Sequence, residues 1–184
     1  RSKYDITDAG LPYMGDFPLT DNKDKIVVKY GSNDIISESF RLLRTNVDFL
    51  LKSKPDSKHT IFITSTIPKE GKSFVSVNLA SILALSNNKV LLMGMDLRKP
   101  KVAEYMDIPD GKGVTNFITD PTLDLKDVII KRNLKHNFDI LLAGNIPPNP
   151  AELLMHPKVA EIFKTVQAEY DYIIVDTAPV GAVT

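Results

Sequence analysis

The sequence predicts an α/β protein, with a mostly parallel sheet covered by helices on both faces. Three observations carry this. Four short runs, "TIFITS" (60–65), "KVLLMGMD" (89–96), "FDILLAG" (138–144) and "DYIIVD" (171–176), are continuously apolar rather than alternating. Strands read this way when both faces of a parallel sheet are covered. Stretches of helical spacing alternate with those runs, as βαβ units require. The first run leads through a short loop into Gly-Lys-Ser at 71–73, the strand–loop–helix junction of a phosphate-binding loop.

Residues 1–33 are polar and broken by Gly10, Pro12, Gly15, Pro18 and Gly31. They read as a linker or arm, with a short strand expected at Lys25–Tyr30. Residues 34–184 read as the folded domain. Its first helix is expected over 34–52, because Ile36, Phe40, Leu43, Val47 and Leu50 form one apolar stripe, and "SKPDSK" at 53–58 ends it. A second helix is expected from Gly71 to about Ser86, with Val75, Leu79, Ile82 and Leu83 on one side. After the second strand comes a loop-rich region with short helices. "NPAELLMHPKVAEIFKTVQAEY" is helical material divided near Pro157.

Lys and Arg total 23 and Asp and Glu total 23. No global field exists to draw the chain to DNA, so nucleic-acid binding is not expected. There are no cysteines, which removes disulfides, thiolate metal sites and cysteine nucleophiles. His59, His136 and His156 share no metal-ligand spacing. No apolar run approaches the roughly 20 residues that span a bilayer. Arg1 is not a natural start and Thr184 is an abrupt end, so the sequence reads as a piece of a longer protein.

In "TSTIPKEGKSF" (64–74), backbone N–H groups of the loop converge on phosphate oxygens, helped by the positive end of the following helix. Lys72 fits the lysine that reaches β- and γ-phosphates, and Ser73 the hydroxyl that binds Mg²⁺. The strict pattern has glycine where Thr66 stands. Threonine serves there if its φ is negative, and Pro68 stiffens the loop. Taken alone, the motif also reads as the mere start of a helix. A P-loop needs further carboxylates at the ends of neighbouring strands to hold Mg²⁺. Asp96 and Asp176 stand at the ends of apolar runs, and in a parallel sheet all such ends share one edge. Their other reading is as caps of the following helices. Together these features predict a P-loop NTPase-like domain in which Lys72, Ser73, Asp96 and Asp176 meet around ATP and Mg²⁺.

"TSTIPKEGKS", "VLLMGMDLRKP" and "YDYIIVDTAPV" resemble the A, A′ and B motifs of bacterial tyrosine kinases, the BY-kinases. These are cytoplasmic domains of polysaccharide co-polymerases that control capsule and exopolysaccharide synthesis. "ESFRLLRTNVDFL" is similar to the family's E-x-x-R-x-x-R helix on Glu38, Arg41 and Arg44, "AGNIPPNPAELL" (143–154) to its G-x-x-P-P-N-P-x-E-L-L segment, and "LPYMGDFP" (11–18) to its juxtamembrane linker. The resemblance covers nearly the whole chain. It implies an ATP-dependent tyrosine autokinase domain governing polysaccharide chain length and export, at the cytoplasmic face of the bacterial inner membrane. It also implies a transmembrane region fused upstream, further strands of the sheet beyond Thr184, and a homo-oligomeric ring built through Glu38, Arg41 and Arg44. On their own, those three residues also read as a solvated stripe with one internal ion pair. The acceptors it implies are tyrosines in the tail of a neighbouring subunit; the six tyrosines present form no cluster.

The expected catalytic residues are Lys72, Asp96 and Asp176, with Ser73, Asp96 and Asp176 at the metal. Pro68, Lys69, Glu70, Gly71, Lys72, Ser73, Phe74 and Arg98 are expected at the nucleotide, although Arg98 reads first as a structural ion pair. The family's A′ motif has two aspartates, and here Gly94 takes the first position. Asp96 then serves both duties, or transfer is slow, or the domain is a nucleotide-controlled assembly switch. A partition or division-site type P-loop ATPase is a further alternative. Its signature lysine would fall at Ile67.

Overall fold

The computed structural model describes residues 9–18, 25–29, 31–51 and 58–182. Tyr30 and most of the break expected at 53–58 lie outside the described residues. The elements are α1 (Ile35–Leu51), β1 (His59–Ile63), α2 (Lys72–Leu85), β2 (Val90–Gly94), α3 (Val102–Met106), α4 (Val114–Thr119), α5 (Leu125–Val128), β3 (Ile129–Ile130), β4 (Asp139–Leu141), α6 (Pro150–Leu154), α7 (Pro157–Glu169), β5 (Tyr172–Asp176) and a 3₁₀ turn at Val180–Ala182. The sheet runs β1-β5-β2-β4-β3. Its first four strands are parallel, and β3 pairs antiparallel with β4. This is the mostly parallel sheet that the apolar runs predict. Within residues 34–184 the apolar runs mark four strands. The fifth is β3, a two-residue edge strand too short for any periodicity to reveal.

The sheet sorts its side chains by the alternation of the pleat. Leu92, Ile140 and Ile174 join one core with α1, α2 and α3. Leu91, Met93, Leu141, Ile173 and Val175 join another with α4, α5 and α7. Helices therefore cover both faces. Helix α1 begins at Asp34, whose Oδ1 accepts from the backbone N–H groups of Ile36 (3.0 Å) and Ser37 (2.9 Å), an N-cap arrangement. Its buried stripe is Ile36, Phe40, Leu43 and Val47. Leu50 departs from the expected stripe at 50% exposure, and Leu51 packs on the core instead, one i+4 step after Val47.

Helix α2 differs more. Every residue from Ser76 to Leu83 is buried, so the helix has no solvated side over that span. The sheet and α1 enclose it, and the arm closes the rest. The expected strand at Lys25–Tyr30 is not formed among residues 25–29. Side chains of α2 take the backbone groups that a neighbouring strand would satisfy. Asn78 Oδ1 accepts from Val27 N (2.9 Å) and Val28 N (3.3 Å), Asn78 Nδ2 donates to Lys25 O (3.0 Å), and Ser81 Oγ donates to Val28 O (3.2 Å). Val27 and Val28 are buried. Phe17 continues the seam, its ring 4.4 Å from that of Phe40, which lies 5.5 Å from that of Phe74.

Candidate nucleotide site

The site lies where β1, β2 and β5 end together. Asp176 is in register with Ile63 on one side and Gly94 on the other. Its carbonyl accepts from Met95 N (2.8 Å), while Thr177 N donates to Ile63 O (3.1 Å). Three strand ends are thus tied at one edge, the place where parallel sheets bind ligands.

From β1 the chain passes through the loop 64–71 into α2. Thr66, in the position of the missing glycine, is not among the residues of positive φ; Lys69 (φ 69°) and Gly71 (φ 85°) are. The loop turns at those two positions, so a side chain at residue 66 meets no backbone conflict. Glu70 folds back over the loop entrance. Its Oε2 accepts from Thr66 N (2.8 Å) and Ile67 N (3.1 Å), and both carboxylate oxygens accept from Thr66 Oγ1. A carboxylate therefore supplies from inside the chain part of what an anion supplies to such a loop. The sequence reading placed Glu70 among the nucleotide contacts. In this structure its side chain holds the loop.

Lys72 opens α2, where the first N–H groups of a helix have no intrahelical partner. Lys72 Nζ lies 2.8 Å from Asp176 Oδ1, with the two side chains 10% and 1% exposed. Ser73 Oγ donates to Asp176 Oδ2 (3.1 Å) and Ser76 Oγ to Asp176 Oδ1 (2.9 Å). Three donors thus satisfy one buried carboxylate, as burial of a charge demands. Ser76 escaped the sequence reading. Its signal is the spacing 72, 73, 76, which puts three polar side chains on the face that α2 turns to β5.

Asp96, two residues past β2, is buried. Its Oδ1 accepts from Arg98 N (3.3 Å) and Lys99 N (3.0 Å), a local turn of the kind aspartate favours. These bonds fix the carboxylate and leave Oδ2 with no hydrogen bond among the described residues. Asp96 and Asp176 line one small pocket together with Gly94. A larger cavity of about 600 Å³ is lined by Pro68, Lys69, Gly71, Lys72, Ser73, Phe74, Asp96 and Arg98 among others, within the size range of small-molecule sites. Seven of the eight residues expected at the nucleotide border it, and Glu70 does not. Phe74 also packs on the core. Lys99 of the A′ segment lines the same cavity, as do Lys101, Glu104 and Tyr105, which no motif marked.

The donors fit the groups implied. An ammonium and a helix N-terminus suit a polyphosphate. The hydroxyl and carboxylate oxygens of Ser73, Asp96 and Asp176 suit Mg²⁺, a hard cation that keeps much of its shell for water and phosphate. No cluster of three or more His, Cys, Asp or Glu that would hold a metal by itself occurs among the described residues.

Glu38, Arg41 and Arg44 lie on α1, away from this edge. Arg41 pairs with Glu38 and donates to Ser32 O. Arg44 donates to Ser86 Oγ (2.6 Å), and its Nε is buried without a hydrogen-bond partner. No helix among the described residues is long and apolar enough to cross a membrane.

Residues 58–184 match the family model AAA_31, an AAA domain. The tyrosine-protein kinase YwqD of Bacillus subtilis (strain 168) is 39% identical over 147 residues, covering 80% of this chain and 60% of that protein. Two solved structures superpose with a TM-score of 0.86. The chimerical protein CapA2B2 is 31% identical, covering 100% of this chain and 78% of that one. The kinase domain of the Escherichia coli tyrosine kinase ETK is 27% identical, covering 100% and 75%. Against the first curated relatives it matches, the chain spans between 20% and 64% of their length. By the family model, by identity and by fold, this chain belongs to the AAA_31 family and, within it, to the bacterial tyrosine kinases.

Proposed function

We propose that this chain is the catalytic domain of an ATP-dependent protein-tyrosine autokinase that regulates the length and export of capsular or exopolysaccharide chains. The observation that carries the reading is the meeting of Lys72, Ser73 and Asp176 at one sheet edge with Asp96 beside them.

Phosphoryl transfer depends on positioning and charge neutralisation more than on covalent chemistry. Lys72 exchanges Asp176 for the β- and γ-phosphate oxygens of ATP, and the loop amides from Lys69 to Ser73 hold the same oxygens. Ser73, Asp96 and Asp176 would hold Mg²⁺. When bound, the ion would neutralise charge on the phosphates. Arg98 touches phosphate at the cavity rim. Asp96 orients an acceptor tyrosine hydroxyl and takes its proton. The tyrosine oxygen bonds to the γ-phosphorus, the bond to the β–γ bridging oxygen breaks, and ADP leaves.

In the assembly we propose, subunits form a ring through Glu38, Arg41 and Arg44, which exchange their present partners within the chain for groups of the neighbour. Arginine suits such contacts through its forked donors. The acceptors are tyrosines of the neighbouring subunit's tail. The transmembrane co-polymerase region precedes residue 1 and the domain works at the cytoplasmic face of the inner membrane. Nucleic acid is not a partner.

One observation favours a second reading, a nucleotide-controlled assembly switch with little kinase activity. Gly94 supplies no carboxylate, leaving Asp96 as the only one of the A′ segment. A partition or division-site ATPase is disfavoured by Ile67, where a lysine would be required. The test is incubation of the complete protein, tail included, with Mg·ATP and detection of phosphotyrosine, with Lys72→Met as control. The kinase reading expects labelling that the control lacks. ATP-dependent change of oligomer size without phosphotyrosine would replace it by the switch.

A further inference from the structure

Beside Asp96 the nucleotide cavity runs into a second one. This open groove of about 710 Å³ is lined by Arg98, Lys99, Lys101, Asp110, Lys112 and Asn116, among others. Arg98, Lys99 and Lys101 line both spaces. They form the shared wall, next to the carboxylate to which an acceptor hydroxyl must come. No residue of the loop 64–71 lines the groove, so it extends away from the phosphate loop.

Its charge is one-sided. Four cations face one carboxylate in a chain whose formal net charge is zero, so the excess belongs to this groove and not to the protein at large. Lys101 is already paired with Glu104. Lys99 and Lys112 carry no side-chain ion pair among the described residues, and both are exposed, although Lys112 lies near enough to Asp120 for its charge to help lower that carboxyl's pKa. The loop bearing Lys112 is anchored. Gly113 N donates to Asn116 Oδ1 (3.0 Å), Asn145 N to the same oxygen (3.3 Å), and Val114 N to Leu142 O (2.9 Å). At Gly113 the backbones approach so closely that a Cβ would stand 2.0 Å from Leu142 O. The lysine before it thus rises from a wall fixed to β4 and the segment that follows it.

We propose that this groove receives the residues flanking the acceptor tyrosine, and that Lys99 and Lys112 select acceptor segments rich in Asp and Glu. The inference rests on the kinase reading for the identity of the second substrate. A tyrosine whose hydroxyl lies at Asp96 leaves its neighbours along the wall that Lys99 begins and Lys112 continues. Acidic flanks there meet exposed ammonium groups, while basic flanks add to an existing excess. Complementary charge sets encounter and register in this way.

The experiment uses two fluorescent peptides, each with one Tyr, flanked on both sides by Glu in one and by Gln in the other. Binding to the full chain is read by anisotropy, with and without Mg·ADP, on wild type, Lys112→Glu and Lys112→Arg. The Glu peptide is expected to bind about three- to tenfold more tightly, as a few exposed charge pairs allow. That advantage disappears in Lys112→Glu, persists in Lys112→Arg, and shrinks as salt is raised. Equal affinity for both peptides, absence of binding, or indifference to Lys112→Glu overturns the proposal. Phosphate transfer to the same peptides is measured separately. A kinase blind to flanking charge sinks the groove assignment and leaves the activity. Charge-selective binding without transfer keeps the groove and removes the activity.

Discussion

Replacing Lys72 by Met removes the ammonium 2.8 Å from Asp176 Oδ1. At an effective dielectric of about 20, a pair at that separation attracts by about 6 kcal/mol before desolvation is counted. Desolvation offsets much of this, and removing one partner of a buried pair costs about 3–5 kcal/mol because the other charge is stranded. Asp176 is not wholly stranded, since Ser73 and Ser76 still donate to its two oxygens. We therefore expect a loss of about 2–3 kcal/mol. For a chain of this size that lowers Tm by roughly 4–12 °C. The assay is urea and thermal unfolding of wild type, Lys72→Met, Asp176→Asn and the double variant, without nucleotide. Asp176→Asn removes the charge that Lys72→Met strands, so the double variant should be more stable than the sum of the singles requires, by about 1–2 kcal/mol. Strict additivity, or a Lys72→Met chain as stable as wild type, would refute the reasoning that these groups form a buried pair.

Asp96→Asn keeps the Arg98 and Lys99 amide contacts through its side-chain oxygen but cannot take a proton. Phosphotyrosine formation should fall by about 10²–10⁴-fold with ATP affinity changed far less, as single-turnover labelling and nucleotide titration will read. Lys69→Gly relieves a left-handed residue (φ 69°). It should stabilise the chain by about 0.5–1 kcal/mol, seen as a higher urea midpoint. The Tyr170 hydroxyl, buried and donating to Asp139 Oδ2 at 2.6 Å, has its pKa raised by burial, then by its bond to Asp139 and that group's charge. A raised folded-state value means its stabilisation is fully present below the unfolded value of about 10 and is lost as pH rises above it. Chemical unfolding between neutral and strongly alkaline pH should show this fall, and Tyr170→Phe should flatten it.

Much of the domain was legible because its strands are buried on both faces, which writes them as unbroken apolar runs. The phosphate loop was legible despite Thr66, because Lys69 and Gly71 take the left-handed turns and residue 66 does not. Lys72, Ser73 and Asp176 met as expected because Asp176 ends a strand hydrogen-bonded to the one that feeds the loop. What stayed hidden was long-range or too short. Asn78 and Ser81 look like defects in an apolar helix until Val27 and Val28, some fifty residues earlier in sequence, bring their backbone groups to them. Glu70 reads as a loop charge until its carboxylate is found on the amides of Thr66 and Ile67. Lys112 carries no motif at all, and only folding brings its loop beside Arg98 and Lys99.

The central claim is that Lys72, Ser73, Asp96 and Asp176 form one magnesium-dependent triphosphate site. Calorimetric titration with a non-hydrolysable ATP analogue, with and without Mg²⁺, tests it most directly. The account predicts one site per chain, tighter with Mg²⁺, abolished by Lys72→Met and stripped of its Mg²⁺ dependence by Ser73→Ala. Binding that survives Lys72→Met, or that is indifferent to Mg²⁺ in the wild-type chain, would contradict it.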